Sequence, residues 1–173
     1  MSTNAINTPP PTRIGEVALS IAISQLGQQE QPKGSNSGPM VDQYLASVGL
    51  KPGYAWCQAF VHWCYQEAAK VAKVPSLVPR TGGVAACWKT TKGRKISLAQ
   101  AKDDPSLIKP GYQFVLLFHG GVGHTGIVER VEGNVIHTIE GNSNDDGSRE
   151  GYEVVRHTRV IGGLALVGFI EYS

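Results

Sequence analysis

Beyond its first dozen residues the chain changes hydrophobic rhythm once, near Lys109. Before that point apolar residues recur at helical spacing. Ile14, Val17, Ala18, Ile21, Ala22 and Leu26 predict a helix within Arg13–Gln29. Turn-forming residues fill Gln31–Pro39, and Met40, Val41, Tyr44, Leu45 and Val48 then predict a second helix over Met40–Val48. A third stripe, Phe60, Val61, Cys64, Tyr65 and Ala68, predicts a helix over Cys57–Ala72, halted by Pro75 and Pro79. Between Arg80 and Lys109 no period is sustained. Gly82–Trp88 reads as a short helix and Ile96–Leu98 as a scrap of strand. After Lys109 the pattern becomes β-like, with strands expected at Gln113–Phe118, His124–Val131, Val135–Glu140, Tyr152–Val160 and Leu166–Glu171. Glu132-Gly133-Asn134 marks a hairpin, and Asn142–Gly151 is a polar loop. Helices first and antiparallel strands afterwards make an α+β domain over residues 13–173. Met1–Thr12, polar and Pro-rich, is expected to be a flexible tail.

Composition narrows the function classes. A formal charge of +2 over 173 residues is too mild for nucleic-acid binding. Lys89, Lys92, Arg94 and Lys95 read as a solvated loop. No apolar run approaches the roughly 20 residues of a membrane span, and Gly162–Ile170 reads as a buried strand. Arg13 is the only basic residue before Ala22, and Val17–Ile23 is interrupted by Ser20, so no classical secretion signal is expected and synthesis is assigned to the cytoplasm. Cys57 and Cys64 lie two turns apart on one helix, about 10 Å, too far for a disulfide. Cys87 has no obvious mate. The chain therefore reads as kept reduced. With neither a CxxC pair nor an HExxH helix, no metal or other cofactor is expected.

The chemistry concentrates in Tyr54-Ala55-Trp56-Cys57-Gln58-Ala59-Phe60-Val61, where a Gly/Pro loop turns into a helix. A thiol at a helix N-terminus meets unpaired N–H groups and a partial positive charge, which favour the nucleophilic thiolate. His124 opens a later strand in Gly123-His124-Thr125-Gly126-Ile127-Val128 and fits a general base. A hairpin turning at Gly133 sets position 124 near 142, bringing His124 beside Glu140 and Asn142 on one face. Glu140 is the favoured orienter of the imidazole and Asn142 an auxiliary, though the two are exchangeable in this register. His119 is the rival base, while His62, His137 and His157 read as surface or filler residues. Cys64 and Cys87 read as inert. The backbone N–H of Cys57 is the natural oxyanion donor, with the Tyr54 hydroxyl or the Gln58 side chain as a second. Trp56 walls the cleft or packs in the core.

These motifs resemble the CHAP domain (cysteine, histidine-dependent amidohydrolase/peptidase), a relative of NlpC/P60 enzymes within the papain-like fold. The resemblance runs from roughly Ile14 to Tyr172, supported also by Lys109-Pro110-Gly111 and Gly168-Phe169-Ile170. It implies helices packed on an antiparallel sheet or small half-barrel, and hydrolysis of an amide in bacterial peptidoglycan, by an endopeptidase or an amidase. Two other readings share these residues: a cysteine protease or deamidase toxin acting on proteins, and an inactive binding module. The chain departs from the family at Tyr112, where members often carry Asp, and lacks the aspartate-rich calcium loop some phage lysins place before the cysteine. No room is expected for an appended wall-binding domain. A monomer is expected, acting at the cell wall after lysis or non-classical export, with a delivery apparatus or a cognate inhibitor as possible partners.

Overall fold

The computed structural model describes residues 13–143, 151–163 and 165–173. The expected tail and most of the expected polar loop lie outside the described residues. Three helices come first: α1 (Ile14–Ser24), α2 (Pro39–Ser47) and α3 (Cys57–Ala72). They are followed by α4 (Val84–Thr90), β1 (Arg94–Ser97) and α5 (Leu98–Asp103). The remaining strands are β2 (Gln113–Leu117), β3 (Gly123–Glu132), β4 (Val135–Ser143), β5 (Glu153–Val160) and β6 (Leu166–Glu171). All pair antiparallel in one sheet of order β1-β6-β2-β3-β4-β5. The architecture is α+β, with helices packed on an antiparallel sheet.

α3 fills the space between the other N-terminal helices and one sheet face. Its stripe of Phe60, Val61, Cys64 and Tyr65 is buried with Ile127, Ile139 and Ile170 of the sheet. The opposite sheet face builds a second core around Phe114, Leu116, Val128, Ile136 and Phe169, covered partly by α5. Both faces of the central strands are thus buried, so β2 reads as a near-continuous apolar run rather than an alternation.

The β3–β4 hairpin pairs Ile127 with Ile139 and Val128 with Thr138, the expected register. A bulge near Glu129 shifts the pairing closer to the turn by one residue. Several boundaries differ from the pattern, and one helix is new. α1 ends at Ser24, because the chain leaves the helix at Gln25 and runs on to a bridge between Gln29 and Glu153. β4 continues through Asn142 and Ser143. α5, unforeseen, starts on a capping box in which Ser97 accepts from the Gln100 N–H and the Gln100 side chain accepts from the Ser97 N–H. Six residues are too few to show a helical period.

Tyr112 is buried beside the second core, with Arg94 and Glu171 close enough to act on its hydroxyl. The preceding Gly111, at φ +91°, lies against Gly15 of α1 so closely that a Cβ would stand 2.3 Å from the Gly15 carbonyl carbon.

Candidate active site

Cys57 is the first residue of α3. The chain reaches it through a turn at Gly53, whose N–H donates to the Asn36 carbonyl at 2.9 Å, and through Trp56 as N-cap. Trp56 fixes this entry. Its indole is wholly buried, stacks on Tyr44 with centroids 5.6 Å apart, and donates to Glu30 Oε1 at 2.9 Å. The other Glu30 oxygen accepts from the Gly34 N–H at 2.7 Å, locking the preceding loop. The N–H of Cys57, in the first turn, has no partner within the helix.

His124 stands near the start of β3, opposite Leu116. Its Nε2 lies 2.6 Å from Glu140 Oε2. Glu140, completely buried on β4, also accepts from the Thr138 hydroxyl at 2.6 Å and from Arg159 of β5 through two bonds of 2.6 Å each. The Arg159 guanidinium lies over the Phe114 ring, 5.3 Å from its centroid. Burial alone would raise the Glu140 pKa, but the bonds and charges of Arg159 and His124 hold it well below the usual carboxylate range. Glu140 is therefore an acceptor, which fixes Nε2 of His124 as the donor and leaves Nδ1 for another partner.

Cys57, at the start of α3, is close enough for its side chain to act on the imidazole. Burial pulls the His124 pKa down, while hydrogen bonds and charge from Cys57 and Glu140 together push it up to about 9. A thiol at a helix start, an imidazole that holds its proton near neutrality and a buried carboxylate thus stand in line. The arrangement can perform nucleophilic acyl transfer with proton return to a leaving group.

Other expected site residues fall elsewhere. Asn142 sits in the β4 bulge at φ +54°, a left-handed conformation that asparagine tolerates. In the amide orientation that satisfies both ends, it donates to the Gly151 carbonyl at 2.8 Å and accepts from the Trp56 N–H at 3.3 Å. It braces the approach to Cys57 and leaves the imidazole to Glu140. Gln58 is fully buried, with Oε1 accepting from Gln113 at 2.7 Å, so its side chain faces the core and not a bound substrate. Trp56 is likewise a core residue and walls no cleft. Tyr54 is 56% exposed on the turn just before Cys57. His119, the rival base, is exposed on a 3₁₀ turn after β2.

His62 is buried rather than superficial. Its Nδ1 lies 3.0 Å from Ser47 Oγ, and burial, with Arg80 nearby, pushes its pKa down to about 4. Cys57, Cys64 and Cys87 are all free and buried. Burial raises the thiol pKa at both Cys64 and Cys87, consistent with inert roles. Among the described residues, no group of three or more His, Cys, Asp or Glu is placed to hold a metal, and no helix is long and apolar enough to cross a membrane.

Arg159 and Thr138 were not foreseen. Two-residue alternation places Thr138 on the Glu140 face of β4. Arg159, however, stands opposite Ile136 and runs back along the strand to reach Glu140. That register depends on the β4–β5 connection, which is too long for a two-residue hairpin turn to fix it. Gly126 is part of the same construction. A Cβ there would lie 2.6 Å from the Ile139 carbonyl oxygen, 2.8 Å from the Phe114 ring and 2.9 Å from Glu140 Cγ. Gly126→Ala is expected to cost about 1–3 kcal/mol of stability by overpacking. It should also push Glu140 off His124, lowering turnover at least about tenfold. Denaturant titration and activity assays check the two effects separately.

The overall fold recurs among known proteins. The fold is shared with a solved endolysin, wild-type LysIME-EF1, at TM-score 0.55 and 15% identity, covering 92% of this chain and 64% of that one. A second structure, Ly7917, aligns at TM-score 0.49 and 18% identity, over 92% of this chain and 62% of that chain. This chain therefore spans under two thirds of either protein's length. A comparison with curated proteins finds no match. The sequence pattern of the CHAP domain matches residues 49–142, over half of the chain and the stretch that runs from the loop before Cys57 to Asn142. With Cys57, His124 and Glu140 brought together inside that stretch, the chain belongs to the CHAP domain family.

Proposed function

We propose that this protein is a peptidoglycan hydrolase that cleaves an amide bond by a thiol mechanism. The observation that carries the reading is the line from Cys57 through His124 to Glu140, with Arg159 fixing the carboxylate. The Cys57 sulfur attacks the amide carbonyl as its proton rests on His124. The oxyanion that forms meets the Cys57 N–H, with the Tyr54 hydroxyl as the second donor we propose. His124 then gives its proton to the departing amine, leaving a thioester on Cys57. Water, deprotonated by His124, releases the acid and restores the thiol. Glu140 keeps Nε2 protonated throughout and stabilises the imidazolium.

Membership of the CHAP family supports peptidoglycan as the polymer. Bond choice is read by digesting purified sacculi and analysing the soluble muropeptides by mass spectrometry. An endopeptidase exposes a new amino group on a stem or cross-bridge residue. An amidase releases intact stem peptides from the sugar. Failure to free either kind of amine from sacculi of several cross-bridge types, by protein whose Cys57 remains reactive, would turn the assignment toward a protein substrate.

A further inference from the structure

We propose that Gln113 is a positioning residue that sets the distance between the helix carrying Cys57 and the strand carrying His124. It rests on the nucleophile and base assigned above. Gln113 opens β2 and is completely buried. Its Nε2 donates to Gln58 Oε1 at 2.7 Å and to Thr125 Oγ1 at 2.8 Å. Gln58 follows Cys57 directly in the chain, and Thr125 follows His124. One amide group therefore bridges the neighbour of the nucleophile to the neighbour of the base.

The bridge is itself held on every side. Gln113 Oε1 accepts from the Tyr172 hydroxyl at 2.8 Å, with the Cys87 sulfur 3.8 Å away. The Thr125 hydroxyl donates to the Phe114 carbonyl at 2.5 Å, so its lone pairs are turned toward Gln113. Gln58, Gln113, Thr125 and Tyr172 are all buried in the layer between α3 and the sheet.

Apolar side chains make up the rest of that layer, and apolar contact is non-directional. Phe60 and Val61 against Ile127 and Ile139 hold α3 on the sheet but tolerate small slides along its axis. Hydrogen bonds have preferred lengths and angles and do not. The network also keeps a cost that packing alone would have removed, since Gln58 Nε2 is buried with no hydrogen-bond partner. A polar cluster retained at such a cost, one residue from each reacting group, fits a role in alignment.

The test compares Gln113→Met, which keeps length without donors, with Thr125→Val and Thr125→Ser. Two readouts are used: kcat and KM on solubilised peptidoglycan, and the pH profile of Cys57 alkylation by iodoacetamide, both well below each variant's melting temperature. Cys64 and Cys87 expose no surface while Cys57 keeps 5%, so alkylation of the folded protein reports Cys57. Gln113→Met and Thr125→Val are expected to lower kcat about 10- to 100-fold with KM within about twofold, and to shift the alkylation profile; Thr125→Ser should recover most of both. Variants that melt earlier yet keep the wild-type kcat and profile while folded would overturn the proposal. The alkylation arm needs no substrate, so it distinguishes failure of this proposal from a wrong assignment of peptidoglycan.

Discussion

Alanine at Cys57 is expected to abolish turnover, by about 10⁴-fold or more, while leaving the fold intact. In the proposed mechanism the sulfur is the atom that becomes covalently bonded, and residual rate then comes only from binding and the oxyanion site. The stability cost is small, about 1 kcal/mol, because one atom is removed from the helix start and its backbone is unchanged. Muropeptide release measured beside a thermal melt separates the two quantities. Equal fragment release by wild type and Cys57→Ala would refute the nucleophile assignment outright. Serine at the same position should be nearly as slow, since a hydroxyl beside His124 does not reach the anionic form that a thiol does.

Glu140→Gln carries the second large effect. Glutamine keeps an oxygen for Arg159 but brings an amide N–H₂ and no charge to a site built for an anion. Turnover is expected to fall about 10²- to 10⁴-fold, because the imidazole loses both its orienting acceptor and the charge that stabilises its protonated form. Stability should fall by about 2–3 kcal/mol, below the usual range for breaking a buried ion pair because Arg159 keeps some contact with water.

The pH dependence has a definite sign. In the wild type, His124 is raised to about 9 in the folded state from an ordinary value of 6.5. Its contribution to stability is therefore complete below about 6.5 and lost as pH rises through about 9. Glu140 is held low, so its contribution is present above the usual carboxylate pKa and lost as pH falls through its depressed folded value. The stability gap between wild type and Glu140→Gln should be widest near neutrality and narrow toward both pH 9 and strong acid. The alkaline limb of kcat/KM should move to lower pH in the variant, since His124 then holds its proton less tightly. Urea unfolding at a series of pH values and a pH–rate profile check the two. An unmoved alkaline limb would show that some other group titrates there.

Much of this site could be read along the chain because its three members lie in segments with strong local signals. The Gly/Pro turn before Cys57 and the stripe from Phe60 to Ala68 place a thiol on a helix start. The turn at Gly133 fixes the register of the hairpin, and with it the approach of His124 to Glu140. The burial of His62, read as a surface or filler residue, comes from α2, packed against that side of α3. Asn142 and Gln58 looked available for chemistry as polar residues beside a motif. Their amides are turned instead to Trp56 and Gly151, and to Gln113.

The sequence alone determined the succession of helices and strands, the thiol at a helix N-terminus and the hairpin that brings His124 near Glu140 and Asn142. These are local matters, governed by capping, periodicity and turn geometry over a few residues. Only the tertiary structure decided that α3 lies with Cys57 against His124, that Arg159 returns along β5 to hold Glu140, and that Gln113 spans helix and strand. Each of those contacts joins segments far apart in the chain, and burial in the assembled core selects them.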